Sequence, residues 1–227
     1  MKIGILQTGH APEGLLADFG DYGDMFQHLL DGNGFEFQVY SVVDDQFPDA
    51  VDAADGWLIT GSRHGAYEDL PWIARLEDFL RAAYARGVPI IGVCFGHQVL
   101  AKALGGRVEK FAGGWAVGPA EYALKDGGSL TLNAWHQDQV VERPDGAEVL
   151  ASSPFCENAV LAYGDKALTV QPHPEYGRDF IAGLIEKRGR GVVPDALLDD
   201  ATARLDTDIT RTWMVDRMVR FFKQPRV

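Results

Sequence analysis

One short stretch constrains the fold of this chain more than any other. An almost wholly apolar run at residues 88–93 passes directly into Cys94-Phe95-Gly96. Such a run is typical of a parallel strand that is buried on both faces of a sheet. A helix is predicted from residue 95 or 96 to residue 104, because Gly105-Gly106 then ends it. A buried strand, a sharp turn and a helix therefore follow one another, which indicates an α/β fold.

The rest of the chain extends this pattern. Strands are predicted at residues 2–6, 35–40 and 56–60, and helices at 18–30 and 71–86. From residue 107 to about 170, short alternating runs between Gly, Pro and Asp turns indicate antiparallel strands. Further helices are predicted at 177–188 and 194–222. We expect one α/β domain over residues 1–227, a wound, mostly parallel sheet with flanking helices, antiparallel strand additions and a helical tail from about residue 177.

Composition narrows the functional classes. The chain has 33 acidic and 21 basic side chains and a formal net charge of −12, which repels phosphate backbones and argues against nucleic-acid binding. No apolar stretch approaches the ~20 residues that a membrane span requires. The first ten residues are too short an apolar segment for a signal peptide. We therefore expect a soluble cytoplasmic protein with free thiols.

Cys94 is the candidate nucleophile. Gly92 and Gly96 lie two positions before and after it, and small residues there suit a sharp strand-to-helix turn. The thiol would lie at a helix N-terminus, where backbone N–H groups favour the thiolate. A cysteine that only packs in the core is the simpler alternative, but the strand and both glycines together favour the nucleophile. Cys156 lacks this setting and is interpreted as structural.

The candidate base is His173, which lies between Pro172 and Pro174 and is followed by Glu175. Each proline favours an extended conformation for the residue before it. Residues two apart in an extended segment point to the same side, so Glu175 can accept a hydrogen bond from His173. The second ring nitrogen is then free to face a cysteine, as in a catalytic triad.

Other histidines compete for the role of base. His136, in the stretch at residues 134–138, is the main rival. His10, His28 and His64 have no comparable carboxylate partner in the sequence, and His97 is too close to Cys94 along one helix to face it. The cysteines and histidines also lack metal-ligand spacing, so neither a metal nor another cofactor is expected.

Acyl transfer further requires N–H groups that stabilise an oxyanion. One is expected from Phe95, the residue after the nucleophile. The other needs a glycine-containing loop at the end of a neighbouring strand, and Gly61 and Ser62 follow the predicted strand at residues 56–60.

With these segments in place, the chain resembles the class I glutamine amidotransferase family over residues 1 to about 175. The run Gly92-Val93-Cys94-Phe95-Gly96-His97-Gln98 is similar to the family's most specific motif. The resemblance implies a triad of Cys94, His173 and Glu175 that hydrolyses glutamine to glutamate and ammonia through a thioester. It also implies that Gln98 holds the substrate and that the stretch with His136 and Gln137 contacts the γ-glutamyl group.

One departure from the family affects the expected substrate. The family's Gly-Gly-Pro loop is Gly61-Ser62-Arg63 here, which is more like stand-alone members such as plant γ-glutamyl peptidases. Three interpretations stay open. The chain is a glutaminase that passes ammonia to a synthase partner, a self-contained hydrolase of γ-glutamyl peptides or amides, or a non-catalytic binding or regulatory subunit. The sequence carries no synthetase domain, which favours the self-contained hydrolase.

Overall fold

A mixed sheet forms the centre of the computed structural model, which describes residues 1–226. The strands are β1 (Lys2–Gln7), β2 (Glu36–Ser41), β3 (Gly56–Ile59), β4 (Ile90–Val93), β5 (Arg107–Lys110), β6 (Ala116–Leu124), β7 (Ser129–His136), β8 (Asp138–Glu142), β9 (Glu148–Ser152), β10 (Val160–Tyr163) and β11 (Ala167–Val170). The helices are α1 (Glu13–Phe19), α2 (Tyr22–Leu29), α3 (Pro71–Ala85), α4 (Phe95–Ala103), α5 (Arg178–Leu184), α6 (Asp195–Ala203) and α7 (Arg211–Lys223). A 3₁₀ turn, Val42–Asp44, and a π-helical turn, Ile185–Gly189, complete the elements.

The sheet has a parallel half and an antiparallel half. Its strand order among residues 1–226 is β2-β1-β3-β4-β11-β10-β9-β6-β7. The neighbours from β2 to β11 pair in parallel, and those from β11 to β7 pair antiparallel. Strands β5 and β8 form a separate antiparallel pair. The predicted fold class, a mostly parallel wound sheet with antiparallel additions, is confirmed.

The centre of the sheet is buried on both faces. Every residue of β3 and β4 is buried, which explains why their sequences are apolar without alternation. Gly4 of β1 allows one close approach, because a Cβ there would lie 2.0 Å from Cζ3 of Trp57. Helices α3 and α4 contribute to the core on one face, and α2 and α7 to the core on the other.

The helix predicted at residues 18–30 is wrong at its beginning. The structure has two helices there, α1 and α2, separated at Gly20, whose φ of +71° lies in the left-handed region. Asp21 then caps α2: its side chain accepts from the Tyr22 N–H, and the Asp24 carboxylate accepts from the Asp21 N–H. Local capping therefore overrides the helical spacing of the apolar residues.

The predicted helix at residues 194–222 is also wrong, because it is interrupted between α6 and α7. Thr210 lies in the break and is fixed to strand β7, where the Thr131 N–H donates to Thr210 Oγ1 at 2.8 Å. The Thr210 N–H donates in return to the Thr131 carbonyl at 2.8 Å. In the described part of the chain, no helix combines the length and apolar character needed to cross a membrane.

Candidate active site

Cys94 occupies a strained turn between strand β4 and helix α4. Its φ of +52° is unusual for a residue with a side chain. A Cβ on Gly92 would lie 2.5 Å from the carbonyl oxygen of Gly96, and a Cβ on Gly96 would lie 2.5 Å from that of Ile59. Both positions therefore require glycine. The predicted strand, turn and helix are confirmed, and backbone contacts explain the two glycines.

His173 and Glu175 form a buried pair just beyond the end of β11. The His173 Nδ1–H donates to Glu175 Oε1 at 2.6 Å, and the two side chains are 2% and 1% exposed. The His173 backbone N–H donates to the Asn133 carbonyl at 2.8 Å, and the Asn133 side chain donates to the Tyr176 carbonyl at 3.0 Å. Asn133 of β7 therefore holds this segment from the antiparallel half of the sheet.

The electrostatics of His173 depend on two opposing effects. Burial lowers its pKa, but the charges of Glu175 and Cys94 raise it, and the resulting pKa is about 10. The ring of Tyr176 stacks on the imidazole with a centroid distance of 3.9 Å and an angle of 5° between the planes. His173 is therefore held in one orientation and favoured as an imidazolium beside Cys94.

The loop after strand β3 lies against both of these residues. A Cβ on Gly61 would be 3.0 Å from Cε1 of His173 and 3.8 Å from Cβ of Cys94. The Thr8 hydroxyl fixes this loop by donating to the Gly61 carbonyl at 2.9 Å. Within residues 1–226, the backbone amides of Gly61, Ser62 and Phe95 donate to no protein acceptor. These amides are therefore free to bind a ligand oxygen.

A cleft of about 460 Å³ opens in front of Cys94. It brings together most of the residues that the sequence analysis selected for a site. Those that line it are Cys94, His173, Ser62, Gln98, His136 and Gln137. Glu175 lies behind His173, and Gly61 lies against His173 and Cys94. The selected residues converge on one place, although they come from four separate segments of the chain.

Gln98 and His136 lie on one wall of the cleft. Gln98 Nε2 donates to the Asp138 carbonyl at 2.9 Å and to Gln171 Oε1 at 3.1 Å. Burial, and then the charge of His173, lower the pKa of His136 to about 3. His136 is therefore neutral, and His173 is the better candidate for a proton carrier that alternates between two charge states.

His97 faces away from the cleft, as its place in the helix predicts. Its Nδ1 lies 2.7 Å from Thr169 Oγ1 in the interior. Burial, and then the charge of His136, lower its pKa to about 3. His97 is therefore a neutral residue of the core, packed between helix α4 and strand β11.

Two other histidines, His10 and His64, have carboxylate partners, so the expectation that they lack them was wrong. His64 Nδ1 lies 3.0 Å from Glu68 Oε2 at the rim of the cleft. The ring of His10 lies 2.6 Å from Asp21 Oδ2 and 3.0 Å from Asp44 Oδ2, outside the cleft lining. Both pairs are more exposed than the His173 pair. Their partners were missed because loops of irregular conformation bring them together.

One end of the cleft was not anticipated. Its wall contains Tyr22, Tyr176, Arg188, Trp115 and Trp135. Tyr176 directly follows the His-Pro-Glu segment, so its position in the sequence is a signal that could have identified it. Trp135 precedes His136 in the same way. Arg188 belongs to a helix and had no sequence signal.

Comparisons with known proteins identify relatives of this chain. Residues 15–179 match the family described as glutamine amidotransferase class-I. Gamma-glutamyl peptidase 4 of Arabidopsis thaliana is 33% identical over 184 residues, which is 74% of this chain and 73% of that protein. A glutamine-hydrolyzing GMP synthase of Aeropyrum pernix is 30% identical over 179 residues, 71% of this chain but 34% of the synthase.

Solved structures show the same fold. A glutamine amidotransferase from Thermotoga maritima superimposes with a TM-score of 0.75, covering 98% of this chain and 99% of that chain. The two sequences are 20% identical. The likeness is therefore one of architecture, and it extends beyond the residues that match the family.

Proposed function

This chain belongs to the class I glutamine amidotransferase family, and from that premise we propose that it hydrolyses γ-glutamyl amides through Cys94, His173 and Glu175. One observation carries the proposal. A cysteine with a φ of +52° at the end of a central strand shares a cleft with a buried histidine that donates to a buried carboxylate. Elements with these roles are what nucleophilic acyl transfer requires.

The first step is attack on the γ-carbonyl carbon. The start of helix α4 and the positive charge of His173 favour the thiolate of Cys94. As the S–C bond forms, the electron pair of the C=O bond moves to the oxygen. The amides of Phe95 and of the Gly61-Ser62 loop, which have no other acceptor within residues 1–226, stabilise this oxyanion.

The second step expels the amine. The C–N bond breaks, and His173 gives its proton to the departing nitrogen. Formation of the S–C bond in the first step has already removed the thiolate charge, which is one of the influences that raise the pKa of His173. His173 therefore gives up its proton more readily in this step, and the electron pair of the oxyanion returns to form the thioester carbonyl. The neutral ring then accepts a proton from water as the water attacks the thioester and Cys94 leaves as a thiolate.

The cleft has room for an amide larger than glutamine. A volume of about 460 Å³ lies within the range of roughly 300–1,000 Å³ typical of sites for drug-sized ligands. The relative at 33% identity is a γ-glutamyl peptidase. We therefore favour a self-contained hydrolase of γ-glutamyl peptides or amides.

A glutaminase that supplies a partner is the second candidate. The match to 34% of a glutamine-hydrolyzing GMP synthase favours it, because that relative contains much more than the matched region. A synthase partner would then receive the ammonia. Stimulation of glutaminase activity by an added synthase distinguishes this candidate from the self-contained hydrolase.

The test is the release of glutamate from glutamine and from a panel of γ-glutamyl peptides. We expect release to be lost in Cys94→Ala and retained in Cys156→Ala, which removes the other buried thiol. A γ-glutamyl electrophile should label Cys94 in the wild type. Turnover that survives Cys94→Ala contradicts the mechanism, and a folded protein that neither turns over nor becomes labelled supports a non-catalytic binding subunit.

A further inference from the structure

Arg188 lies in the wall of the catalytic cleft without a carboxylate partner. It is partly buried and lines the same cleft as Cys94 and His173. Within residues 1–226, its guanidinium makes neither a salt bridge nor a hydrogen bond. By contrast, Arg190 is exposed and pairs with both Asp195 and Asp199. A guanidinium that is held in a cleft and has no internal partner is suited to bind an anion from outside the protein.

The backbone around Arg188 is a π-helical turn, Ile185–Gly189, at the end of helix α5. A π-turn inserts an extra residue into a helix and often occurs at functional sites. Gly189 lets this turn pack tightly, because a Cβ there would lie 2.7 Å from Leu198 and 3.3 Å from Trp135. Ile185 is 7% exposed and anchors the other end. The backbone at Arg188 is therefore held against the cleft by the packing of its neighbours on both sides.

Arg188 lies on the His173 side of the cleft, where the proposed mechanism places the departing amine. His173 must face the leaving nitrogen, since it donates the proton. Tyr176 stacks on His173, and Tyr22 lies beyond Tyr176 with a ring centroid distance of 6.4 Å. Burial raises the pKa of Tyr22, and the nearby charge of Arg188 acts to lower it. The residues on this side of the cleft are therefore, in order, His173, Tyr176, Tyr22 and Arg188.

The other cations of the cleft lie close to protein carboxylates. The Gly65 N–H lowers the pKa of Glu68 against the opposing effect of burial, and His64 and then Arg63 lower it further. Lys110 acts in the same sense on Asp138, whose pKa burial raises. Their charge is therefore partly offset within the protein. Arg188 has no such counterpart among residues 1–226.

On the basis of the proposed function, we propose that Arg188 binds a carboxylate on the leaving group of the substrate. The preferred substrates are then γ-glutamyl amino acids or peptides with a free carboxylate on the amine side, rather than glutamine. The apolar residues of the same wall, Leu184, Val192 and Val193, would contact the side chain of that departing amino acid. Arg188 is a specificity residue in this assignment, because it contacts the leaving group and not the reacting bond.

The test compares two substrates that differ in one charge. γ-Glutamylalanine has the carboxylate, and γ-glutamylalaninamide has a neutral amide in its place. We expect wild-type kcat/KM to favour γ-glutamylalanine by about 10- to 150-fold, the range for a charge-assisted hydrogen bond. Arg188→Gln should bring the ratio to within about threefold of one, whereas Arg190→Gln, the exposed neighbour, should keep the wild-type ratio.

Two further measurements make the test independent of folding and of turnover. Arg188→Lys keeps the charge but loses the planar fork, so we expect an intermediate ratio if the glutamine variant does not fold. Calorimetric binding of both compounds to Cys94→Ala, with and without Arg188→Gln, should show the same preference in Kd.

Each outcome has a definite meaning. A wild-type ratio near one, or a ratio that Arg188→Gln leaves unchanged, overturns the assignment of Arg188. If Cys94-dependent hydrolysis is still observed in that case, the proposed function stands. If neither compound is hydrolysed while binding to Cys94→Ala depends on Arg188, the proposed function fails and the carboxylate site stands.

Discussion

Replacing Glu175 by glutamine tests the electrostatic basis of the proposed mechanism. Glu175 Oε1 lies 2.6 Å from His173 Nδ1, and its side chain is 1% exposed. Glutamine fills nearly the same volume but carries no charge. Glu175 is the strongest of the groups that raise the pKa of His173 against the effect of burial. In Glu175→Gln, burial is opposed by Cys94 alone, so the pKa of His173 falls from its value of about 10.

The expected magnitude follows from the burial of the pair. A hydrogen bond to a charged group contributes about 1.5–3 kcal/mol, and about 1.4 kcal/mol corresponds to a tenfold change in rate. No screening by solvent reduces this value, because both side chains are at most 2% exposed. We therefore expect kcat/KM at neutral pH to fall by about 10- to 150-fold in Glu175→Gln.

The assay is kcat/KM for a γ-glutamyl peptide as a function of pH, together with the rate of Cys94 alkylation by iodoacetamide. A raised pKa keeps His173 protonated as the pH rises, so wild-type activity that needs the imidazolium should decline only near pH 10. In Glu175→Gln the decline should begin at a lower pH. Glu148→Gln, which removes an exposed carboxylate paired with Lys125, is the control and should change neither measurement.

A specific result would refute this reasoning. If Glu175→Gln changes kcat/KM by less than about threefold and leaves the alkaline decline in place, the Glu175 charge does not support His173 during catalysis. The proposed proton transfers would then need another source for the raised pKa.

Three other substitutions probe the site and its surroundings. Gly96→Ala places a Cβ 2.5 Å from a carbonyl oxygen of strand β3 and should lower the free energy of unfolding by about 1–3 kcal/mol. The control Gly14→Ala has only ordinary contacts from 3.6 Å and should change that free energy by less than about 1 kcal/mol; equal melting temperatures for the two variants contradict the prediction. Gly61→Ala places a Cβ 3.0 Å from His173 Cε1 and should lower kcat by about tenfold or more with little change in Tm. An unchanged kcat would argue against the role proposed for the Gly61-Ser62 loop in stabilising the oxyanion. Hydrogen bonds to carboxylates, that to Asp21 first, raise the pKa of His10 above 6.5. In urea titrations the stability lost in His10→Ala should therefore be largest below pH 6.5 and should fade as the pH rises, and a difference that stays constant with pH would contradict the pairing.

The strand-to-helix turn at Cys94 was predictable from sequence because its requirements are local. The strand β4 is apolar because both of its faces are covered, and Gly92 and Gly96 are needed because backbone atoms come within 2.5 Å of where a Cβ would be. The alignment of His173 with Glu175 was predictable for a similar reason, since Pro172 and Pro174 restrict the backbone of this segment. Such rules depend on a few neighbouring residues.

Helix boundaries were less predictable because they depend on competing signals. Apolar spacing predicted one helix at residues 18–30, but Gly20 and the capping Asp21 divide the segment into α1 and α2. The break between α6 and α7 depends on Thr210, which bonds to Thr131 from a strand 79 positions away in the chain. Hydrophobic spacing alone contains no information about such a contact.

Arg188 shows where inference from sequence alone ends. The helical spacing near residue 188 predicts a helix, but a π-turn changes the direction in which its side chains project. That turn depends on close packing of Gly189 against Leu198 and Trp135, which come from α6 and β7. The proposed catalytic pair and nucleophile depend on the backbone of short segments, whereas the charge proposed to select the leaving group depends on the packing of three elements. If Arg188 has this role, altered packing around it would change the amine that is released without any change in the turn at Cys94 or in the His-Pro-Glu segment.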